Sequence, residues 1–193
     1  MMQVNYIICA AGAGSRFKAS DINTPKSLII LQNKCLLEWS INSLPIYPGD
    51  NLIIITQKQD QVKTALLDKI TQDYFYCNIN WIEIDSITKG QLSTALMAEQ
   101  YLELKKSIVI YNCDTYFRSR NLLALFSDPT IDGIIPCSKE QGSAWSFCKI
   151  DGQNNVLDIQ EKQRISPWAS VGLYFFRDTA KFLFYAQKEL EQD

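Results

Sequence analysis

The 193-residue sequence is 47% hydrophobic and 21% charged, with 19 basic against 21 acidic side chains and a net charge of −2. That is the profile of one globular domain with a substantial core, and it excludes the basic surface of a nucleic-acid binder or an acidic-membrane partner. No histidine is present, which removes histidine acid–base catalysis, histidine metal sites and Ser-His-Asp triads together. In chain order, residues 4–10 read as an apolar strand, and residues 34–44 recur with helical spacing. Leu52, Ile53, Ile54 and Ile55 form a continuous apolar run, as in a strand buried on both faces. A helix is expected over 60–70, a short strand over 80–84, a helix over 91–104, a buried strand over 107–111 and a short helix over 121–126. The pattern then changes to strands over 131–137, 146–150, 156–159 and 169–176, with Asp151 and Gly152 marking a turn, and a closing helix over 178–191.

Strand–helix alternation through the first ~125 residues implies β-α-β units on a parallel sheet, and the remainder adds antiparallel strands. We divide the single expected domain into two halves, 1–128 and 129–193, which the motifs below mark as nucleotide-binding and acceptor-binding. Ligands of such sheets sit beyond the carboxyl ends of the strands. The six cysteines (9, 35, 77, 113, 137 and 148) are scattered without a C-x-x-C pair and are expected to be reduced core residues. No charged segment precedes the first apolar run, and no run reaches the ~20 residues of a membrane span, so the expected compartment is the cytoplasm.

Two stretches carry the chemistry. Ile7 to Phe17 runs from an apolar strand into Ala10, Ala11, Gly12, Ala13, Gly14, Ser15 and Arg16, and Pro25-Lys26 follows. Small residues let backbone N–H groups approach phosphate oxygens, while Arg16 and Lys26 supply fixed positive charge. Asp114 ends the apolar strand Tyr111-Asn112-Cys113-Asp114. A charge there is costly unless paired or metal-bound, and hard Mg²⁺ bridging phosphates takes one or two carboxylates.

Cys9-Ala10-Ala11-Gly12-Ala13-Gly14-Ser15-Arg16, a gap, then Pro25-Lys26 resembles the signature of the NDP-sugar pyrophosphorylase family of nucleotidyltransferases, roughly L-A-A-G-x-G-x-R then P-K, and four motifs along essentially the whole chain follow the family order. The resemblance implies a Rossmann-like three-layer α/β/α fold with a mixed, mostly parallel sheet and an added antiparallel region. It implies that Ala10, Ala11 and Gly12 lie along base and ribose, and that Gly14, Ser15 and Arg16 wrap the β- and γ-phosphates. Lys26 would bind the α-phosphate and the acceptor phosphate, and Asp114 the metal, Mg²⁺. Thr88 to Ala95 resembles the base-recognition segment, with Gly90 against the base and Gln91 or Thr94 offering hydrogen bonds; Gln57 is a further base candidate. Glu161-Lys162 followed by Ala169 to Phe176 resembles the acceptor motif. Glu161 would bind acceptor hydroxyls, Lys162 the acceptor phosphate, and Gly172 would allow close approach. Arg16, Lys26 and Lys162 are therefore the expected catalytic residues.

Departures from the pattern are Gln163 where a proline is usual, and Trp145-Ser146 where sugar-specific members have Tyr-Gly, so Ser146 would narrow the acceptor pocket. The Trp-Ser-Phe and Arg-Ile-Ser elements resemble nucleotidyltransferases of bacterial surface-polysaccharide clusters, some of which activate phosphorylated non-sugars with CTP. Many members carry a second metal carboxylate near the C-terminus; none is placed in this sequence, which stops at Asp193 and is shorter than typical members. The expected reaction is Mg²⁺-dependent transfer from an NTP to a sugar 1-phosphate or similar small phosphorylated acceptor, with pyrophosphate released. Nucleic acid and membrane are not expected partners, and self-association is left open. Two other readings remain at this point. One is a glycosyltransferase, which would want Asp-x-Asp where this chain has Asn112-Cys113-Asp114. The other is a non-catalytic nucleotide-binding paralogue.

Overall fold

The computed structural model describes residues 2–14 and 24–191. Strands β1 (Val4–Ala10), β4 (Asn51–Gln57), β5 (Asn78–Ile84) and β6 (Ser107–Asn112) pair in parallel in the order β5-β4-β1-β6. Beside β6 the sheet continues with two antiparallel strands, β12 (Leu173–Phe176) and then β7 (Gly133–Ile134). The sheet is therefore mixed and mostly parallel. The β1 and β4 strands sit between neighbours and under helices, which is why they read as unbroken apolar runs.

Helices cover both faces. On one side α1 (Leu36–Ile41), α2 (Val62–Asp73) and α4 (Leu122–Ser127) bring Leu37, Ile41, Leu66, Ile70 and Phe126 into a core with Tyr6, Ile8 and Ile54. On the other, α3 (Gln91–Leu96) and α5 (Thr179–Leu190) bring Ala95, Phe182, Leu183 and Ala186 onto Ile7, Ile53 and Ile55. Successive residues of β1 thus feed opposite cores, as the two-residue repeat of a strand requires. The result is a three-layer α/β/α arrangement. No described helix is long and apolar enough to cross a membrane.

A second, four-stranded antiparallel sheet has the order β10-β9-β11-β8, formed by β8 (Cys137–Lys139), β9 (Ser146–Ile150), β10 (Val156–Glu161) and β11 (Trp168–Ser170). A small hairpin, β2 (Ile30–Leu31) with β3 (Lys34–Cys35), completes the fold.

Three expectations are corrected. The strand expected over 131–137 is two strands in two sheets, β7 and β8. Pro136 lies between them and has no N–H to give a continuous ladder. The strand expected over 169–176 is likewise β11 and β12, and the chain changes sheets at Val171-Gly172, where Gly172 takes φ +79°. The helix expected over 91–104 ends at Leu96 and gives way to a 3-10 turn at Glu99–Tyr101. Cysteines 9, 35, 77, 113, 137 and 148 are all free thiols.

Candidate active site

A cleft of about 850 Å³ opens at the carboxyl ends of the parallel strands and extends under the second sheet. Its volume lies in the range of small-molecule sites. One wall is the loop after β1, contributing Ala11, Gly12 and Ala13. Among the described residues nothing lies within 4 Å of where a Gly12 side chain would start. Gly14 adopts φ +62°, a conformation that favours glycine. The loop is held from behind by Gln57 at the end of β4. Its Nε2 donates to the carbonyls of Ala11 (2.9 Å) and Gly12 (3.3 Å), and its Oε1 accepts from Gln59 (2.5 Å).

Lys26 and Asp114 meet in this cleft. Pro25 precedes a 3-10 turn over Lys26–Leu28, and the Lys26 ammonium forms an ion pair with the Asp114 carboxylate, each partly exposed. The segment carrying Asp114 is pinned on both sides: Tyr111 Oη donates to the Thr115 carbonyl (2.6 Å), and Phe117 N–H donates to Ser43 Oγ (3.2 Å). Burial pushes the neighbouring Cys113 thiol up to about 11, and it also raises the Cys9 thiol. Both are therefore neutral at physiological pH and poor nucleophiles.

The segment from Thr88 to Thr94 is anchored by hydroxyls. Thr88 and Thr94 Oγ1 both donate to the Gly90 carbonyl, at 3.1 and 3.0 Å, which fixes Gly90 in the cleft lining, with no other described residue where a side chain would be. Gln91 lies beside it, and its Nε2 is buried without a hydrogen-bond partner among the described residues.

The opposite wall comes from the second sheet. Ser146 and Glu161 face one another in the β9–β10 register. Glu161 pairs with Lys162 at 2.7 Å. Lys162 holds φ +56°, unusual for a residue with a side chain, and its N–H donates to the Trp145 carbonyl (2.9 Å). Backbone held in that region is a strained arrangement of the kind that clusters at ligand sites. Gly172 and Val171 close the floor.

Most sequence-predicted residues thus converge: Gly12, Lys26, Gly90, Gln91, Asp114, Ser146, Glu161, Lys162 and Gly172 line one cleft with Ala11. Three do not line it: Ala10 packs into the core, Gly14 follows the lining residues Gly12 and Ala13, and the Gln57 amide is engaged by the carbonyls of Ala11 and Gly12 and by Gln59, so it holds the loop from behind. Ser15 and Arg16 lie outside the described residues. Sequence reasoning did not single out Asn112, Ser138, Glu140, Tyr116 or Tyr174, which also line the cleft. For Asn112 a signal existed: an amide closing an apolar strand two residues before Asp114.

Residues 6–154 match the model of the MobA-like NTP transferase domain. The chain belongs to this family. It is a nucleotidyltransferase, and the glycosyltransferase alternative falls away. Among solved structures, the MobA-like chain resembles a nucleoside-diphosphate-sugar pyrophosphorylase from Vibrio cholerae RC9, with TM-score 0.79 and 26% identity over 95% of this chain and 78% of that one. The fold is shared with an inositol-1-phosphate CTP transferase from T. maritima, with TM-score 0.73 and 17% identity over 91% and 71% of the two chains. It is shared also with a UDP-glucose pyrophosphorylase complexed with UDP-glucose, with TM-score 0.77 and 16% identity over 97% and 80%. The comparison with curated proteins returns no match.

Proposed function

We propose that this nucleotidyltransferase joins the nucleotidyl group of an NTP to the phosphate of a small acceptor and releases pyrophosphate. The observation that carries this reading is the Lys26–Asp114 pair. A cation and a carboxylate from distant parts of the sequence sit together where the glycine loop, the Gly90 segment and the second sheet face one cleft.

In the reaction an oxygen of the acceptor phosphate attacks the α-phosphorus, and the bond from that phosphorus to the bridging oxygen of the β-phosphate breaks. The electron pair leaves with pyrophosphate. The attacking oxygen is already anionic, so no general base is needed, and the neutral thiols of Cys9 and Cys113 offer no covalent route. What remains is positioning and neutralisation of charge. Lys26 contacts the α-phosphate oxygens, Arg16 the leaving phosphates, and Lys162 the acceptor phosphate. Gln91 Nε2 donates to an acceptor atom of the base, and Glu161 accepts from the acceptor molecule.

Asp114 fits a Mg²⁺ ion. It is a partly exposed carboxylate lining the cleft beside Lys26, and hard Mg²⁺ takes one or two protein carboxylates when substrate phosphates and water complete its shell. Bound there, the ion would neutralise triphosphate charge. Among the described residues no cluster of three or more acidic or thiol groups forms a self-sufficient metal cage.

The test is pyrophosphate release with Mg²⁺, each common NTP and a panel of phosphorylated acceptors, for the wild type and for Lys26→Ala. The wild type is expected to release pyrophosphate with a particular pair. Lys26→Ala is expected to be slower by about 10²–10³-fold, the scale of removing a preorganised charge-stabilising group, with an unchanged melting temperature. Near-normal turnover by Lys26→Ala would overturn the assignment. NTP binding without turnover across the panel would favour the non-catalytic paralogue.

A further inference from the structure

Two side chains of the cleft are each claimed twice. The Asp114 carboxylate forms an ion pair with the Lys26 ammonium, and on the proposed function it also holds the metal. Lys26 in turn has Asp114 as its partner, yet the same reaction needs its charge at the α-phosphate. An ammonium and a divalent cation on one carboxylate would repel each other at short range, so both claims cannot be met at once.

The backbone shows which part of the pair can move. Lys26 opens a 3-10 turn closed by Leu28 N–H on the Pro25 carbonyl (2.8 Å) and Ile29 N–H on the Lys26 carbonyl (3.2 Å). The next residue, Ser27, is buried, and its Oγ donates to Cys113 Sγ (3.7 Å), one position before Asp114. The turn that carries the lysine is thereby tied to the strand end that carries the aspartate. The Asp114 segment is itself pinned through Tyr111 and Ser43. What can swing is the lysine side chain, a flexible four-carbon stem with three rotatable donors. That stem starts beside the glycine loop: a Cβ on Gly14 would lie 3.9 Å from Lys26 Cβ. Rotation of the stem therefore moves the ammonium between Asp114 and the loop without moving the backbone.

We infer that Lys26 is an exchangeable counter-ion of Asp114, which gives up the carboxylate as metal and triphosphate arrive and carries its ammonium to the phosphates, so that metal and nucleotide bind with positive coupling through this one side chain. This rests on the nucleotidyl-transfer reading with Asp114 as a metal ligand, and it adds an order of events. With metal alone, Lys26 leaves Asp114 with no phosphate to receive it. With nucleotide alone, Lys26 leaves the carboxylate uncompensated. With both, the carboxylate trades one cation for another and the ammonium trades one anion for another, so no charge in the cleft is left unpaired. The displacement is made once for two ligands, and each then raises the affinity of the other by the same factor.

The experiment titrates Mn²⁺, a spectroscopic stand-in for Mg²⁺, into the nucleotide-free whole chain and reads unbound Mn²⁺ by EPR. Wild type is set beside Lys26→Met and Lys162→Met, with thermal melting as the check on folding and Lys26→Gln as a second neutral variant. Lys26→Met is expected to bind Mn²⁺ about 3–10-fold more tightly than wild type, the scale of one partly exposed competing charge removed. Adding Asp114→Asn to Lys26→Met is expected to abolish that gain. Lys162→Met is expected to stay within about twofold of wild type, because that ammonium is paired with Glu161 and not with Asp114. NTP affinity is then measured by calorimetry in Mg²⁺ and in EDTA, without acceptor. The tightening by Mg²⁺ is expected to be about 3–10-fold smaller in Lys26→Met than in wild type, since the shared displacement is gone. A lysine that merely repelled the metal or stayed on Asp114 throughout would not produce both results. An unchanged Mn²⁺ affinity in Lys26→Met, an equal gain in Lys162→Met, or an undiminished Mg²⁺ effect on NTP binding would each overturn the exchange, while pyrophosphate release by the wild type leaves nucleotidyl transfer standing. No NTP binding and no pyrophosphate release would overturn the transfer reading, and this inference with it.

Discussion

Strand β4 has every residue buried, whereas every residue of β10 is exposed. The two strands stand for two ways of building a wall of the same cleft. On the β4 side the backbone ends are fixed by the parallel sheet and its two cores, so the glycine loop, Gln57 and Gly90 are set by packing that no ligand has to supply. On the β10 side Glu161 and Lys162 sit on an edge strand, held by one neighbouring strand, a salt bridge and a left-handed backbone turn. On the proposed function, chemistry common to all substrates belongs on the first wall, and discrimination among acceptors on the second, where residues can change without loss of the core. Asn112 lies at the seam, on a core strand and facing the second sheet.

This contrast can be broken by mutation. The largest stability effect is expected for Ile54→Ala on β4, about 2–5 kcal/mol for a fully buried isoleucine, read as a shifted denaturant midpoint. Gly172→Ala comes next. The left-handed conformation alone penalises a Cβ by about 1–2 kcal/mol, and Asn112 must also move aside, so a weaker melting transition and a raised acceptor KM are expected together. The smallest effect is expected for Leu157→Lys on β10. That side chain is 60% exposed, and the change in stability should stay within about 0.5 kcal/mol. If Leu157→Lys unfolded the protein as readily as Ile54→Ala, the division into a packed wall and an adaptable one would be wrong.

The same contrast governs what the sequence reveals. The parallel strands were legible because burial on both faces leaves continuous apolar runs such as Leu52 to Ile55. The second sheet was less so, because two apparent strands each divide between sheets. Pro136 and Gly172 are the punctuation marks, and only the second appeared in a motif, for another reason. In the site, Lys26, Asp114, Glu161 and Lys162 were found by motif order, which no periodicity would have yielded. Ala10 and Gln57, expected at the nucleotide, do not line the cleft, because spacing along a chain does not tell which side of a loop a residue occupies. Asn112 closes an apolar strand two residues before Asp114, but an asparagine there also reads as an ordinary turn residue. Its place in the cleft appears only when its amide is found packed against Gly172.

The most direct test of the account follows phosphorus through the reaction. With wild-type protein, Mg²⁺, the active NTP and an active acceptor, ³¹P NMR should show one pyrophosphate and one new nucleotide-linked diphosphate for each NTP consumed, and no consumption when the acceptor is left out. Release of inorganic phosphate in place of pyrophosphate, or NTP breakdown that is indifferent to the acceptor, would contradict it.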